Sequence, residues 1–374
     1  EKMVWLLQSQ FILLLVFLNP VTSFAGKYGH EIKIDGSDVM ACKDYSGPEG
    51  IEDKRLNAYM IMIGPFSPQR TYKKWLYAVI ALSSALKKHD SKADVVILCA
   101  QKDHNSIHAL PEEEELMSRN GIHWRYVSAP YGNGGFHMGH FKLWAWQHTE
   151  YAQIQLLDAD LLPLVNMDRF FELGINLDSD FIGCPGKLSV LNAGWFLLKP
   201  SCHHFEGLTQ IIKNDNAKSW NNEDGWGHKL PYWISSEEVK MKSGWDFFDG
   251  HGNQGHMYNY FLFEGKDLTL IYSNRIMSYT NGSLDYGDNI EKEILQYDIK
   301  KANDIHSRIF DAYPCPFPLK IKERAYYHFT GNVKPWTKYN PQHPQFKLWY
   351  EAVEHSGDIQ VERDVFNGNL KGKN

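Results

Sequence analysis

The chain is poor in four things, and each shortage removes a class of protein. Cysteine comes first: five residues (Cys42, Cys99, Cys184, Cys202 and Cys315) among 374 are too few and too scattered for a disulfide scaffold or a zinc ribbon. One or two bridges remain open, with no pairing that spacing assigns. Basic tracts are also missing. The 39 Lys and Arg and the 45 Asp and Glu residues are well mixed and give a formal net charge of −6, so nothing gathers enough positive charge to neutralise a nucleic-acid backbone. No motif repeats, which argues against a tandem enzyme. Long apolar runs are scarce: the one in EKMVWLLQSQFILLLVFLNPVTSFAGK is centred on Phe11–Leu18 and is too short for a comfortable membrane span.

That stretch fits a secretory signal over residues 1–25, with a lysine ahead of the apolar segment and small residues at Ser23 and Ala25, where cleavage would fall. The alternative is an uncleaved anchor built on Val4–Leu18, which would tie the protein to a membrane. Both readings place the remainder in the lumen of the secretory pathway (Golgi or endoplasmic reticulum) or outside the cell. Asn281-Gly282-Ser283 is the single N-glycosylation pattern.

What is abundant is apolar and aromatic. At 43% hydrophobic the chain can bury a large core, and its 12 tryptophans suit either a thick core or a surface that stacks on sugar rings. Ala58–Ile63 (AYMIMI) has no polar face, as expected of a strand covered on both sides. Trp75, Leu76, Val79, Ile80 and Leu86 follow at helical spacing, and ADVVIL (93–98) then reads as a second strand. The pattern continues with a charged helix around Pro111–Ser118, a strand near Ile122–Val127, a helix over Phe141–His148 and a strand at Ile154–Leu157. Strand, helix, strand in alternation predicts an α/β sheet wound on both faces, with ligands at the carboxyl ends of its strands.

One such end carries YAQIQLLDADLLPLVN (151–166). In an extended chain Asp158 and Asp160 lie on the same side, where two carboxylates repel and each resists ionising beside the other. A divalent cation removes the conflict. Oxygen ligands of this kind suit Mg²⁺ or Mn²⁺, ions that commonly share their shell with a substrate phosphate.

Four blocks in order, FKLWAWQHTEYAQIQLLDADLLPL (141–164), LNAGWFLLKPS (191–201), GNQGHMYNYF (252–261) and HFTGNVKPW (328–336), resemble the motif series of glycosyltransferase family 8, the glycogenin-like retaining enzymes with the GT-A fold. The resemblance implies one large domain over residues 56–350, an α/β fold with a mixed, mainly parallel sheet flanked by helices. Ahead of it lies a lead segment (26–55), within it an insertion (215–248), and after it a polar C-terminal tail (351–374). It implies Asp158, Asp160 and His328 as metal ligands for Mn²⁺, with Mg²⁺ as the alternative. The co-substrate would be a UDP-sugar, its diphosphate met by Lys334, Gly331 and the metal pair, with Lys142 and Asp158-Ala159-Asp160 at the donor site. It places Asn192, Gln254 and Asp249 near the transferred sugar and Ala58 and Tyr59 near the nucleoside. The implied activity moves a hexose-type sugar from a UDP-sugar to a glycan, protein or lipid, and the lumenal plant-type relatives compare better than cytosolic glycogenin. Chemically the set is sensible, since a metal and lysines oppose the charge that builds on a departing diphosphate, and amides both donate to and accept from sugar hydroxyls.

Departures from the family pattern matter too. Many members have Asp-Gln-Gly where this chain has Asn253-Gln254-Gly255, and an amide cannot act as a nucleophile or base. The segment SWNNEDGWGHKLPYWISSEEVKMKSGWDFF (219–248) reads as a surface insertion, either an acceptor platform or a lid packed by its own aromatics. His137 and His140 are expected to face solvent or cap a loop, outside the metal site. Two other functions compete with this reading. A non-catalytic sugar-binding relative would not need the full set of metal and phosphate ligands. An aspartate-nucleophile phosphotransferase would carry a Gly-Thr-like pair where Leu161-Leu162 stands.

Overall fold

A computed structural model describes residues 42–44, 55–64, 66, 71–101, 107–128, 138–177, 179–184, 189–213, 220–230, 233–234, 241–242, 244–265, 268–270, 277–279, 325–329, 334–337 and 339–367. The N-terminal signal or anchor, most of the lead segment, Asn281-Gly282-Ser283, Cys315, His137 and Gly331 lie outside them. The described residues fall within one compact unit, Cys42–Asn374.

The scaffold grows from β1 (Ala58–Ile63), which has buried residues at all but one position. Parallel to it on one side lies β2 (Asp94–Gln101) and on the other β4 (Ile154–Asp158). Beyond β2 comes β3 (Ile122–Ser128), again parallel. Alternate residues of β1 feed two separate cores. Tyr59, Ile61 and Ile63 pack on the face that holds the helix α1 (Lys73–Lys88), whereas Ala58 and Met60 pack on the opposite face. This is why AYMIMI has no polar face.

Helix α2 (Pro111–Arg119) starts where its sequence says it should. Pro111 occupies the first turn with Glu112, Glu113 and Glu114, and the Leu110 amide donates to Glu113 Oε2 at 2.8 Å. On the other side of β4 the sheet changes direction. Strand β7 (Trp195–Leu198) runs antiparallel to β4 and to β6 (Phe181–Gly183), and β10 (Leu268–Leu270) closes the edge parallel to β6. The order β10-β6-β7-β4-β1-β2-β3 is therefore mixed and mainly parallel, as expected.

A second, three-stranded sheet forms from distant parts of the chain. In it β12 (Tyr326–His328) pairs antiparallel with β5 (Leu161–Pro163) and parallel with β11 (Met277–Tyr279). A short hairpin joins β8 (Trp233–Ile234) to β9 (Met241–Lys242). Helices α3 (Arg169–Leu177), α4 (Cys202–Lys213) and α5 (Asn253–Asn259) complete this part, and Met138–Gln147 winds as 3₁₀ rather than α-helix.

Three expectations are corrected. The segment read as a polar tail is instead the second half of α6 (Pro344–Ser356) and all of α7 (Ile359–Phe366). Val361 and Val365 are buried, and each contributes about 1.5–3 kcal/mol by leaving water. Trp336 links α6 to α1, 5.7 Å from Trp349 and 5.2 Å from Trp75 between ring centroids. The insertion is no loose surface segment where it is described, because Trp226 and Trp245 are buried and donate to Gly250 O at 3.0 Å and His228 O at 2.7 Å. His140 is buried, with its ring 6.1 Å from Trp226 and 5.4 Å from His256. Burial pulls the His256 imidazole down to about 4, so it is neutral at pH 7.

The cysteines, left unpaired by spacing alone, resolve in part. Cys42 and Cys202 form a disulfide that ties the lead segment to the start of α4, where the Cys202 amide also donates to Asp44 Oδ1 at 2.9 Å. Cys99 and Cys184 are buried thiols.

Candidate active site

Strand β4 delivers Asp158 at its carboxyl end, with its amide donating to Gly194 O at 2.8 Å. The chain does not stay extended beyond it. Ala159 and Asp160 form a turn into β5, so the two carboxylates converge through that turn and not through strand alternation. Convergence is enforced by β12. Its last residue, His328, lies opposite Leu161, and the Phe329 amide donates to Asp160 O at 2.9 Å. The C-terminal motif thus reaches the aspartates by strand pairing.

Each carboxylate divides its two oxygens in the same way. Asp158 gives Oδ1 to Lys142 Nζ at 2.6 Å and turns Oδ2 toward His328 Nε2 at 3.8 Å. Asp160 gives Oδ2 to Lys334 Nζ and turns Oδ1 toward the same His328 nitrogen at 3.3 Å. Both lysines are buried and are fixed a second time by backbone, Lys142 on Ala193 O at 2.6 Å and Lys334 on Phe329 O. Burial alone would push the Asp160 carboxyl up, but His328 and Lys334 more than reverse this and hold it well below the usual carboxylate range.

Donor atoms from Asp158, Asp160 and His328 all lie within 4.8 Å of one another. Two carboxylate oxygens and one imidazole nitrogen, gathered at one point with each second oxygen held back by a lysine, fit a divalent cation such as Mn²⁺ or Mg²⁺. The thiolates that favour softer ions are absent from the cluster.

Sequence reading missed two contributors here. Ala193 receives Lys142 on its carbonyl and donates its amide to Gln254 Oε1 at 3.0 Å, so it joins the metal end of the site to the Gln254 helix. Gly194 makes room for the histidine: a Cβ there would stand 2.4 Å from His328 Cε1. A glycine directly before the apolar strand WFLL was the available clue, since such a position often marks a close approach.

The remaining expected site residues divide. Asn192 borders the cluster, with its Oδ1 taking the Gly194 amide at 2.7 Å. Gln254 is buried, and its amide group spans Ala193 N and Phe248 O, the latter at 3.1 Å, so it braces two loops. Asp249 has φ of +62° and accepts the Gln254 amide on Oδ2 at 3.1 Å, which places its carboxylate at the start of α5. Asn253 is buried with Nδ2 lacking a hydrogen-bond partner.

Ala58 and Tyr59 are not brought to the site. Met62, not Ala58, lies beside Asp158 in the register, which puts Ala58 about 13 Å away at the opposite end of the strand. Tyr59 is fully buried and donates its hydroxyl to Asp168. Ala159 is buried in the core, with no side-chain polar group to offer a ligand. Gly331 lies outside the described residues.

No protein-family model matches the chain. It is 27% identical over 164 residues to PGSIP7 of Arabidopsis thaliana, whose name assigns it a predicted glucuronosyltransferase activity; the match covers 43% of this chain and 32% of that protein. It is 23% identical over 297 residues to glycogenin-1 of Mus musculus, covering 73% of this chain and 70% of that one. The chain thus spans about a third of the plant relative's length. Among solved structures, the galactosyltransferase LgtC, in complex with donor and acceptor sugar analogs, aligns with 79% of this chain and 95% of its own at 12% identity and a TM-score of 0.43. The mixed, mainly parallel sheet and the acidic–histidine cluster thus stand in a chain whose sequence is similar to glycosyltransferases. Among these it is similar to glycogenin-1 and to plant proteins named glucuronosyltransferases.

Proposed function

We propose that the protein is a metal-dependent retaining glycosyltransferase that moves a hexose-type sugar from a UDP-sugar to a glycan, protein or lipid acceptor. The observation that carries this reading is the shared geometry of the two aspartates, each with one oxygen on a buried lysine and the other turned to His328. A cation held by Asp158, Asp160 and His328 would supply Lewis-acid stabilisation of the departing diphosphate. Manganese is favoured over magnesium because an imidazole completes the set.

Lys142 and Lys334 stand where they can shift their hydrogen bonds from the carboxylates to phosphate oxygens. Buried as they are, they act in a low-dielectric setting that strengthens their effect on developing charge. Asn253 and Asn192 would meet the transferred sugar through their amides. Asn253 offers no carboxylate, and Asp249 Oδ2 accepts the backbone amide of Gln254. This supports retention by attack on the face from which the diphosphate leaves, with a phosphate oxygen taking the acceptor's proton. The disulfide between Cys42 and Cys202 supports residence in an oxidising compartment, the secretory-pathway lumen or the exterior.

The test is UDP release from a panel of UDP-sugars with Mn²⁺, with the product's anomeric configuration read by NMR. Asp158→Asn should lower turnover by several kcal/mol of barrier, on the order of a thousandfold. Release that persists at wild-type rate in EDTA or in that variant overturns the metal site, and an inverted product overturns the mechanism.

A further inference from the structure

Phe248 is 71% exposed although its neighbours Trp245 and Phe247 are buried. Single exposed apolar side chains are ordinary on protein surfaces and call for nothing by themselves. This one sits on a loop that is held at almost every residue. The Trp245 amide donates to Asn222 O at 2.7 Å, the Gly250 amide to Phe247 O at 3.0 Å, and Gly250 O receives Trp226 Nε1 at 3.0 Å. The next residue, Asp249, is kept in the left-handed region at φ +62°, a conformation that persists only where the surroundings dictate it. A loop so constrained cannot fold its phenyl ring inward to escape water.

The loop is also wired to the cluster. Phe248 O accepts from Gln254 Nε2, Gln254 Oε1 accepts from Ala193 N, and Ala193 O accepts from Lys142, which binds Asp158. Three residues on, the exposed His251 ring lies 4.9 Å from Trp220 of the insertion, which is half-buried against the core, so His251 adds a second exposed and braced ring to the same loop. We propose that Phe248, with the His251–Trp220 pair, forms the acceptor subsite and stacks on the apolar face of a sugar ring in a glycan acceptor. This rests on the transferase reading above, and it gives the insertion the platform role. Aromatic rings suit that task because the axial C–H groups of a pyranose meet an aromatic face without loss of hydrogen bonds, while the hydroxyls stay in water. Stacking of this kind sets acceptor preference without touching the donor diphosphate.

The experiment uses the full chain and a panel of neutral hexasaccharides (xylohexaose, cellohexaose and maltohexaose), with binding read by saturation-transfer NMR and affinity by titration. UDP affinity in Mn²⁺ is measured separately as the control for an intact donor site. At least one hexasaccharide should bind, Phe248→Ala should weaken it about tenfold, and Phe248→Tyr should restore it, with UDP affinity constant across all three proteins. Binding of no hexasaccharide, or equal binding by Phe248→Ala, overturns the subsite. So does a loss in Phe248→Ala of binding to phosphatidylcholine vesicles alone, which would make the ring a membrane contact. Failure of UDP to bind the unaltered protein is a different result: it removes the transferase reading, whereas the hexasaccharide arm still reports on the aromatic surface.

Discussion

The two aspartates sit two residues apart yet belong to different parts of the molecule. Asp158 ends β4, inside a sheet whose strands β1 to β4 come from one continuous stretch, and it keeps about a third of its side chain in solvent. Asp160 begins the turn into β5 and is closed over by β12 and by Lys334, 174 residues away in sequence. The first is presented by a strand end, and the second is buried in a seam. Chemically alike, they should respond to the same substitution by very different amounts.

The largest effect expected in stability is therefore at the seam. Asp160→Asn leaves the buried Lys334 ammonium without its charge partner, which costs about 3–5 kcal/mol of folding free energy. Asp158→Asn should cost under about 1 kcal/mol, the usual worth of a partly exposed pair, because the Asp158 side chain is one-third exposed and water can take the place of its carboxylate. Urea unfolding of the two variants side by side reads the difference, and equal losses would erase the distinction between the two parts.

Next in size is the covalent tie. Cys42→Ser opens a loop of 160 residues and should remove about 2–5 kcal/mol. Treatment with dithiothreitol should lower the melting temperature of the wild type to that of the variant and leave the variant unchanged.

The smallest effect belongs to the C-terminal helices. Asp358 caps α7 through the Gln360 and Val361 amides and pairs with Arg119 at 2.7 Å. Asp358→Ala should cost about 1 kcal/mol, as an N-cap loss does. Burial pushes the Asp358 carboxyl up, yet Arg119, the Val361 amide and Asn120 together hold it below its usual value. A depressed folded pKa means that its contribution is whole above the unfolded value of about 3.9 and is lost as pH falls through the lower folded value. Thermal melts between pH 6 and 3 should thus show wild type and variant converging toward the acid end.

The same division explains what was legible in the sequence. Strands β1 to β4 and helices α1 and α2 announced themselves because each is a local run whose period alone reports its two-sided or one-sided burial. The aspartates were legible for the same reason, as charges ending an apolar strand. The assignment of Ala58 and Tyr59 to the nucleoside failed on direction, since a motif names a strand without saying which of its ends faces the ligand. Helix α7 was hidden because only Val361, Val365 and Phe366 dock it, while Ile359 is exposed and Gln360, Glu362, Arg363 and Asp364 are polar. Gln254 works on backbone groups, Ala193 N and Phe248 O, a use that residue type cannot reveal. The pairing of Cys42 with Cys202 depends on where α4 starts relative to the lead segment, which is a fact of tertiary structure.

That pairing has one more consequence, for the chain as a covalent object. Residues 43–201 form a closed ring that contains β1 through β7 and both aspartates. A protease that cuts one peptide bond anywhere in the ring releases no fragment. The nicked protein would run as a single species without reductant and as two pieces with it, so the mass of the pieces maps each accessible bond while the sheet remains assembled.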